Sequence, residues 1–210
     1  MTNLLIIVFV ISLIYMASAG RLLTYTKVLF IQGILLSFIA LLELTHDISI
    51  SNLIFIVLET VIFKAIVVPF YFSRLIVKNN MSNERNADNP NFFAIFKVAL
   101  IIILAYTLSY NLNDEHLHIT YFTAAISAIF VGLLMIVRRK KIITHIMGYM
   151  VLENGIFLLS MALGSELPLI VNLGILLDLF TSVLLFGLFI TKIDELYHST
   201  EIDQLSGLKD

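Results

Sequence analysis

Residues 143–163 read ITHIMGYMVLENGIFLLSMAL, and this stretch decides the fold class. It is apolar over about the 20 residues that a helix needs to cross the hydrocarbon core of a bilayer. Glu153 lies about ten residues from either end, too deep for a short side chain to reach water. A charged group at that depth opposes insertion by roughly 2.5–3.5 kcal/mol, so such groups usually have a function. The stretch predicts a membrane helix that carries a functional acid.

The composition of the whole chain agrees with this interpretation. Of 210 residues, 60% are hydrophobic and 13% are charged, against about 25% charged in soluble domains, and the mean hydropathy is +1.00. Cysteine is absent, which excludes disulfides, thiolate metal sites and iron–sulfur ligation by this chain. We therefore expect an integral membrane protein, and any redox centre must lie in a partner.

Seven segments are long and apolar enough to span a membrane, which predicts an all-α protein with a single integral membrane domain over residues 1–210. Residues 1–110 hold the N-terminal helices, residues 118–192 form a C-terminal unit, and residues 193–210 form a polar cytoplasmic tail. An apolar run followed by Ala17-Ser18-Ala19 resembles a signal peptide, but residues 1–10 contain no Lys or Arg, which favours a retained first span. The predicted spans are 3–19, 26–44, 52–77, 92–110, 118–137, 142–163 and 167–191.

The basic residues are distributed asymmetrically between the two sides of this arrangement. Of the 13 Lys and Arg residues, all but Lys64 fall in or beside the segments after spans 1, 3 and 5 and after span 7. The segments after spans 2, 4 and 6 carry acids instead. The positive-inside rule then predicts an external N-terminus and a cytoplasmic C-terminus.

A weak internal repeat relates two of the spans. Residues 33–41, GILLSFIAL, match residues 155–163, GIFLLSMAL, at five of nine positions. Each segment is followed by a short acidic loop and a returning helix with a buried acid, Glu59 in one copy and Asp178 in the other. Parallel duplication of a helix hairpin builds some transport proteins, and chance identity of apolar residues is the alternative.

The sixth span places His145, Tyr149 and Glu153 at successive i, i+4 positions, as a stripe about 12 Å long. Together with water, these side chains could relay protons from the cytoplasmic edge to the midplane. The alternative is that His145 and Tyr149 are interfacial anchors. Asn154 adds a buried amide beside the acid.

Asp178 lies in the seventh span at a depth similar to that of Glu153. The connecting turn is short, so we expect the two helices to be neighbours and the two acids to share or exchange a proton. The alternative is a structural acid that hydrogen-bonds Asn154, Thr181 or Ser182.

The third span carries Glu59 and Lys64, which are ~140° apart on a regular α-helix. An ion pair within the helix would be poor unless Pro69 distorts it. A different partner is expected for at least one of the two, and Gln32 in span 2 could reach either. Proton transfer and a structural salt bridge both remain open.

Other classes of site have little support. His116 and His118 lie in an acidic loop for which solvation is a simpler explanation than a metal site. The cluster at residues 138–141, RRKK, is typical of an anchor near acidic lipids, and no pattern indicates nucleic-acid binding.

Several of these segments resemble hydrogenase-4 component E, a membrane subunit of formate-hydrogenlyase-type nickel–iron hydrogenases of the bacterial inner membrane. The similar stretches are residues 148–163, GYMVLENGIFLLSMAL, residues 173–190, LGILLDLFTSVLLFGLFI, and residues 61–70, VIFKAIVVPF. The C-terminal part is also similar, more distantly, to the K subunit of complex I and the C subunit of multisubunit cation/proton antiporters.

The resemblance implies a K-subunit-like unit of three C-terminal helices, in which Glu153 and Asp178 stand where two acids line a lateral proton path. Antiporter-like membrane subunits would be the partners, and the chain would have no cofactor of its own. Asn172 stands where family members often show an acid, which leaves the outer-side proton step open. A subunit of a redox-free antiporter and a scaffold without proton transfer are the two alternatives.

Overall fold

The computed structural model describes residues 1–43, 58–78, 91–112, 118–139 and 141–162, together with residue 187. Almost all of these residues are helical and none belongs to a β-strand, which confirms the all-α prediction for this part of the chain. The elements are α1 (Thr2–Ser18), α2 (Leu22–Glu43), a π-helix (Leu58–Val67), α3 (Val68–Lys78), α4 (Asn91–Leu112), α5 (Ile119–Arg138) and α6 (Ile142–Ala162).

Four of these helices are long and apolar enough to cross a membrane, so the chain is a multi-pass membrane protein. The four stretches are Leu22–Leu42, Phe93–Leu112, Ile119–Arg138 and Ile143–Ala162. The predicted spans 3–19 and 52–77 correspond to the shorter helix α1 and to the π-helix with α3. The predicted span 167–191 lies outside the described residues except for Gly187, which is buried against Tyr71 of α3. The count of seven and the orientation stay predictions.

Helix α2 lies at the centre of the bundle, in contact with α1, the π-helix, α3 and α6. Its neighbour α6 forms a long antiparallel hairpin with α5, and α1 packs against α4 and α5. The core between them is filled by large apolar side chains such as Phe9, Leu36, Ile39 and Met147. Because α4 is apolar on all sides yet exposes Phe96 and Ile103, its outer surface requires lipid or a partner subunit.

Glycine contacts fix the register of the α5–α6 hairpin. A Cβ at Gly132 would lie 2.6 Å from the carbonyl oxygen of Gly148, and a Cβ at Gly155 would lie 2.8 Å from that of Ala125. The backbone N–H of His118 donates to the carbonyl of Ala162 at 3.3 Å. All three pairs are symmetric about position 140, so the hairpin stays in one register along its length and small residues permit its close approach.

The turns after α1 and after α5 meet at one end of the bundle, where Arg21 and Lys141 form an isolated backbone bridge. The Tyr25 hydroxyl donates to the carbonyl of Ala19 at 2.7 Å. The Arg139 guanidinium lies 5.6 Å from the Tyr25 ring centroid and donates to the same carbonyl at 3.5 Å. Two of the predicted basic segments therefore share one end, as the charge pattern requires.

Candidate functional site

The centre of the candidate site is an ion pair between the π-helix and α6. Lys64 Nζ lies 2.9 Å from Glu153 Oε1, and the two side chains are only 6% and 5% exposed. The sequence predicted a distant partner for at least one of Glu59 and Lys64 and named Gln32. The structure gives Lys64 a partner on another helix, Glu153, which the sequence had assigned to a separate proton-transfer element.

The helix that carries Lys64 is not the regular α-helix assumed from the sequence. Residues Leu58–Val67 form a π-helix of ten residues, whereas π geometry usually occurs as a single turn and often at functional sites. The ~140° separation of Glu59 and Lys64 is therefore wrong, because i→i+5 hydrogen bonding brings positions five apart toward one face. The side chain of Glu59 lies outside the described ones. Pro69 is the second residue of α3 and follows the π-helix without a break, so it cannot donate a backbone hydrogen bond to the preceding turn.

Gly33 of α2 allows the π-helix to approach closely. A Cβ at this position would lie 2.7 Å from the Cα of Ala65 and 2.9 Å from the carbonyl carbon of Lys64. Both of these atoms belong to the backbone, so no change of rotamer could relieve the clash. The absence of a side chain at Gly33 thus sets the position from which Lys64 reaches α6.

A chain of buried hydrogen bonds lies beside the ion pair and joins α6, α2 and α1. Asn154 Nδ2 donates to Gln32 Oε1 at 3.2 Å, and Gln32 Nε2 donates to Ser12 Oγ at 2.9 Å. Ser12 Oγ in turn donates to the carbonyl of Phe9 at 2.6 Å. Because Asn154 follows Glu153 directly, these amides fix the rotation of α6 that directs Glu153 toward Lys64.

Two residues of the site were missed by the sequence analysis. The Phe157 ring centroid lies 4.9 Å from Lys64 Nζ, within range of a cation–π interaction. Phe157 follows Glu153 by one helical turn, so its i+4 spacing was the available signal. Ser12 offered only a lone hydroxyl in an apolar helix, which is a common and weak pattern.

The surroundings of Glu153 are poor in hydrogen-bond donors. Among the described residues, Oε1 accepts no hydrogen bond of regular geometry, so its 2.9 Å contact with Lys64 is a charge–charge contact rather than a directional bond. A buried carboxylate without a counter-charge is very costly. The ammonium group of Lys64 therefore supplies the counter-charge that the buried carboxylate of Glu153 requires.

The other residues predicted for the site lie one or two helical turns from the ion pair or outside the described residues. His145 and Tyr149 are partly buried on α6, two turns and one turn before Glu153, as their sequence spacing requires. Asp178 lies outside the described residues, so its predicted partnership with Glu153 stays a prediction. No cluster of metal-ligating side chains occurs in the part of the chain that the structure describes.

Comparisons with known proteins give a partial match. No family model matches the chain, and no solved structure matches it. The chain is 32% identical over 85 residues to hydrogenase-4 component E of Escherichia coli. The aligned region covers 40% of this chain and 39% of that protein. The chain is 28% identical over 87 residues to an uncharacterised protein of Mycobacterium tuberculosis, which covers 41% and 40% of the two chains. The chain spans about two fifths of the length of the curated relatives it matches, so its similarity to hydrogenase-4 component E is partial.

Proposed function

We propose that this chain is a membrane subunit of a hydrogenase-4 or formate-hydrogenlyase-type complex of the bacterial inner membrane, and that Glu153 and Lys64 lie on its proton-translocation path. The observation that carries the proposal is the ion pair, 2.9 Å long and almost fully buried among apolar helices. The partial similarity to hydrogenase-4 component E supports the class of complex.

The ion pair provides a site at which a proton can be held and released. A proton that reaches Glu153 neutralises the carboxylate and removes its attraction for Lys64. The Phe157 ring then offers the ammonium group a favourable neighbour. When the proton leaves, the carboxylate regains its charge and the pair forms again.

The rest of the path is assigned to the remaining ionisable residues. Protons enter near His145 and Tyr149, reach Glu153, and pass laterally through Asp178 and Glu59 to antiporter-like subunits of the complex. This lateral direction is the one implied by the family resemblance drawn from the C-terminal sequence. A proton that crosses the whole membrane changes free energy by ~2.3 kcal/mol per 100 mV.

The proposal is tested by removing both charges together in the assembled complex. The double variant Lys64→Met/Glu153→Gln removes both charges of the ion pair together, so we expect normal assembly but no proton uptake by membrane vesicles during turnover. Ser109→Ala is the matched control, because this buried hydroxyl hydrogen-bonds Thr123 between α4 and α5, away from the pair. Undiminished proton uptake by the double variant would refute a proton path through this site.

The class of complex is tested separately by purification from native membranes. We expect the chain to bring down nickel-containing and iron–sulfur proteins. Recovery with antiporter subunits alone would favour the redox-free antiporter and reject the hydrogenase assignment.

A further inference from the structure

We propose that Lys64 is a specificity-determining residue that makes the site at Glu153 selective for H⁺ over Na⁺. The ammonium group acts as a covalently attached cation in the place that a sodium ion would need beside the carboxylate. This inference rests on the proposed function and deepens it, because it assigns the transported ion.

The first argument is the occupancy of the space next to Glu153. Lys64 Nζ lies 2.9 Å from Oε1, and the Phe157 ring lies near the same ammonium group. A sodium ion would have to displace Lys64 and leave two positive charges beside the carboxylate of Glu153 in an apolar environment. A proton instead adds to a carboxylate oxygen, neutralises it, and needs no separate coordination shell.

The second argument is the supply of oxygen ligands. Membrane transporters coordinate Na⁺ largely with backbone carbonyls from helices that unwind at the midplane. Helix α6 is continuous over Ile142–Ala162 and α2 is continuous over Leu22–Glu43, so the carbonyls of both helices beside the site are held in helical hydrogen bonds.

Two of the neutral side-chain oxygens near the pair already accept hydrogen bonds. Gln32 Oε1 accepts from Asn154. Ser12 Oγ accepts from Gln32 and donates to the carbonyl of Phe9. Gln32 and Ser12 would have to give up these hydrogen bonds to supply oxygens to a sodium ion.

The experiment uses membrane vesicles that contain the assembled complex, and it measures proton uptake and radioactive sodium uptake during turnover. We expect the wild type to take up protons at the same rate in sodium and choline media and to accumulate no sodium. Lys64→Gln removes the attached cation and supplies an amide oxygen, so the proton uptake that it retains should become inhibited by Na⁺. Lys64→Arg keeps a cation and should remain insensitive to Na⁺. The matched control Lys27→Gln removes an exposed charge from α2 and should behave as the wild type.

The outcomes separate this inference from the proposed function. Sodium accumulation by the wild type that Lys64→Met/Glu153→Gln abolishes would overturn proton selectivity while retaining an ion path at Glu153. Proton uptake that survives in the assembled double variant would overturn the path and the selectivity together. If Lys64→Gln does not assemble, the wild-type sodium measurement still decides the question.

Discussion

At the residue scale, the main feature is that two charges occupy the apolar core together. A buried ion pair is seldom a strong source of stability, because desolvation of both ions offsets much of their attraction. Lys64 and Glu153 are almost completely buried and pair at 2.9 Å. In the proposed function, the role of the pair is to exchange a lysine for a proton as the counter-charge of Glu153.

The energetic side of this argument predicts a non-additive mutant cycle. Lys64→Met leaves Glu153 without its counter-charge, so it should reduce the free energy of unfolding by about 3–5 kcal/mol. Lys64→Met/Glu153→Gln should regain most of that loss. Thermal denaturation of the detergent-solubilised protein would measure both, and equal stability of the single and double variants would show that the pair is not buried as described.

A second residue-level prediction concerns the amides beside the pair. Gln32→Leu leaves the buried amide of Asn154 without its acceptor, which should cost about 1–3 kcal/mol. Gln32→Leu/Asn154→Leu removes both partners and should be closer to the wild type in stability. Thermal denaturation measures these losses as well. If the double variant lost more free energy of unfolding than the two single variants lose together, the assignment of this hydrogen bond would be contradicted.

At the element scale, the sequence was sufficient where length and apolar composition determine the structure. Helix α6 follows the predicted span 142–163 closely, because a long apolar segment has few alternatives to a membrane helix. The π-helix could not be predicted in this way, because positions in a sequence are assigned to helix faces with the 3.6-residue period of a regular α-helix. Pro69 indicated a distorted helix, but the close approach of Gly33 to Ala65 is a tertiary contact that one sequence does not reveal.

The same limit applies to the candidate site. The sequence predicted four residues of the site, because polar groups at mid-membrane depth are rare. They are Glu153, Lys64, Gln32 and Asn154. Their pairing depends on how α2, the π-helix and α6 rotate against one another, and this is set by packing. Phe157 was overlooked because an aromatic residue in an apolar helix carries no signal until its neighbour is known.

The packing role of Gly33 gives a prediction for the π-helix. Gly33→Val should push the π-helix away from α2 and separate Lys64 from Glu153, because the added atoms meet backbone. The chain has no native cysteine, so Lys64→Cys/Glu153→Cys can be linked directly with a short bifunctional maleimide. We expect efficient linking in an otherwise unchanged chain and poor linking with Gly33→Val.

The control for this cross-linking is Phe30→Leu, a change on the exposed side of the same helix. It should leave the linking efficiency unchanged. Equal linking with and without Gly33→Val would mean that Gly33 does not position Lys64.

At the scale of the whole molecule, the two buried amides connect the segments of the internal repeat. Gln32 and Asn154 each precede a repeat segment by one residue, and they hydrogen-bond to each other. Two parallel helices related by an axis along the membrane normal bring equivalent positions to the same depth. Such a contact is expected of duplicated segments. The turns before α2 and α6 meet at one end of the bundle, where Arg139 contacts the carbonyl of Ala19, so both helices start at that end and run in the same direction.

The shared direction of α2 and α6 leads to a prediction about orientation. The turns after α1 and α5 meet at one end of the bundle through Arg21 and Lys141, and this end carries much of the basic charge, so we expect it to face the cytoplasm. Single cysteines at these two positions should react with an impermeant maleimide only in inside-out vesicles. A cysteine at His118, at the opposite end of α5, should react only from the outer side of intact cells. The reverse pattern would invert the orientation, and with it the side from which protons approach Glu153.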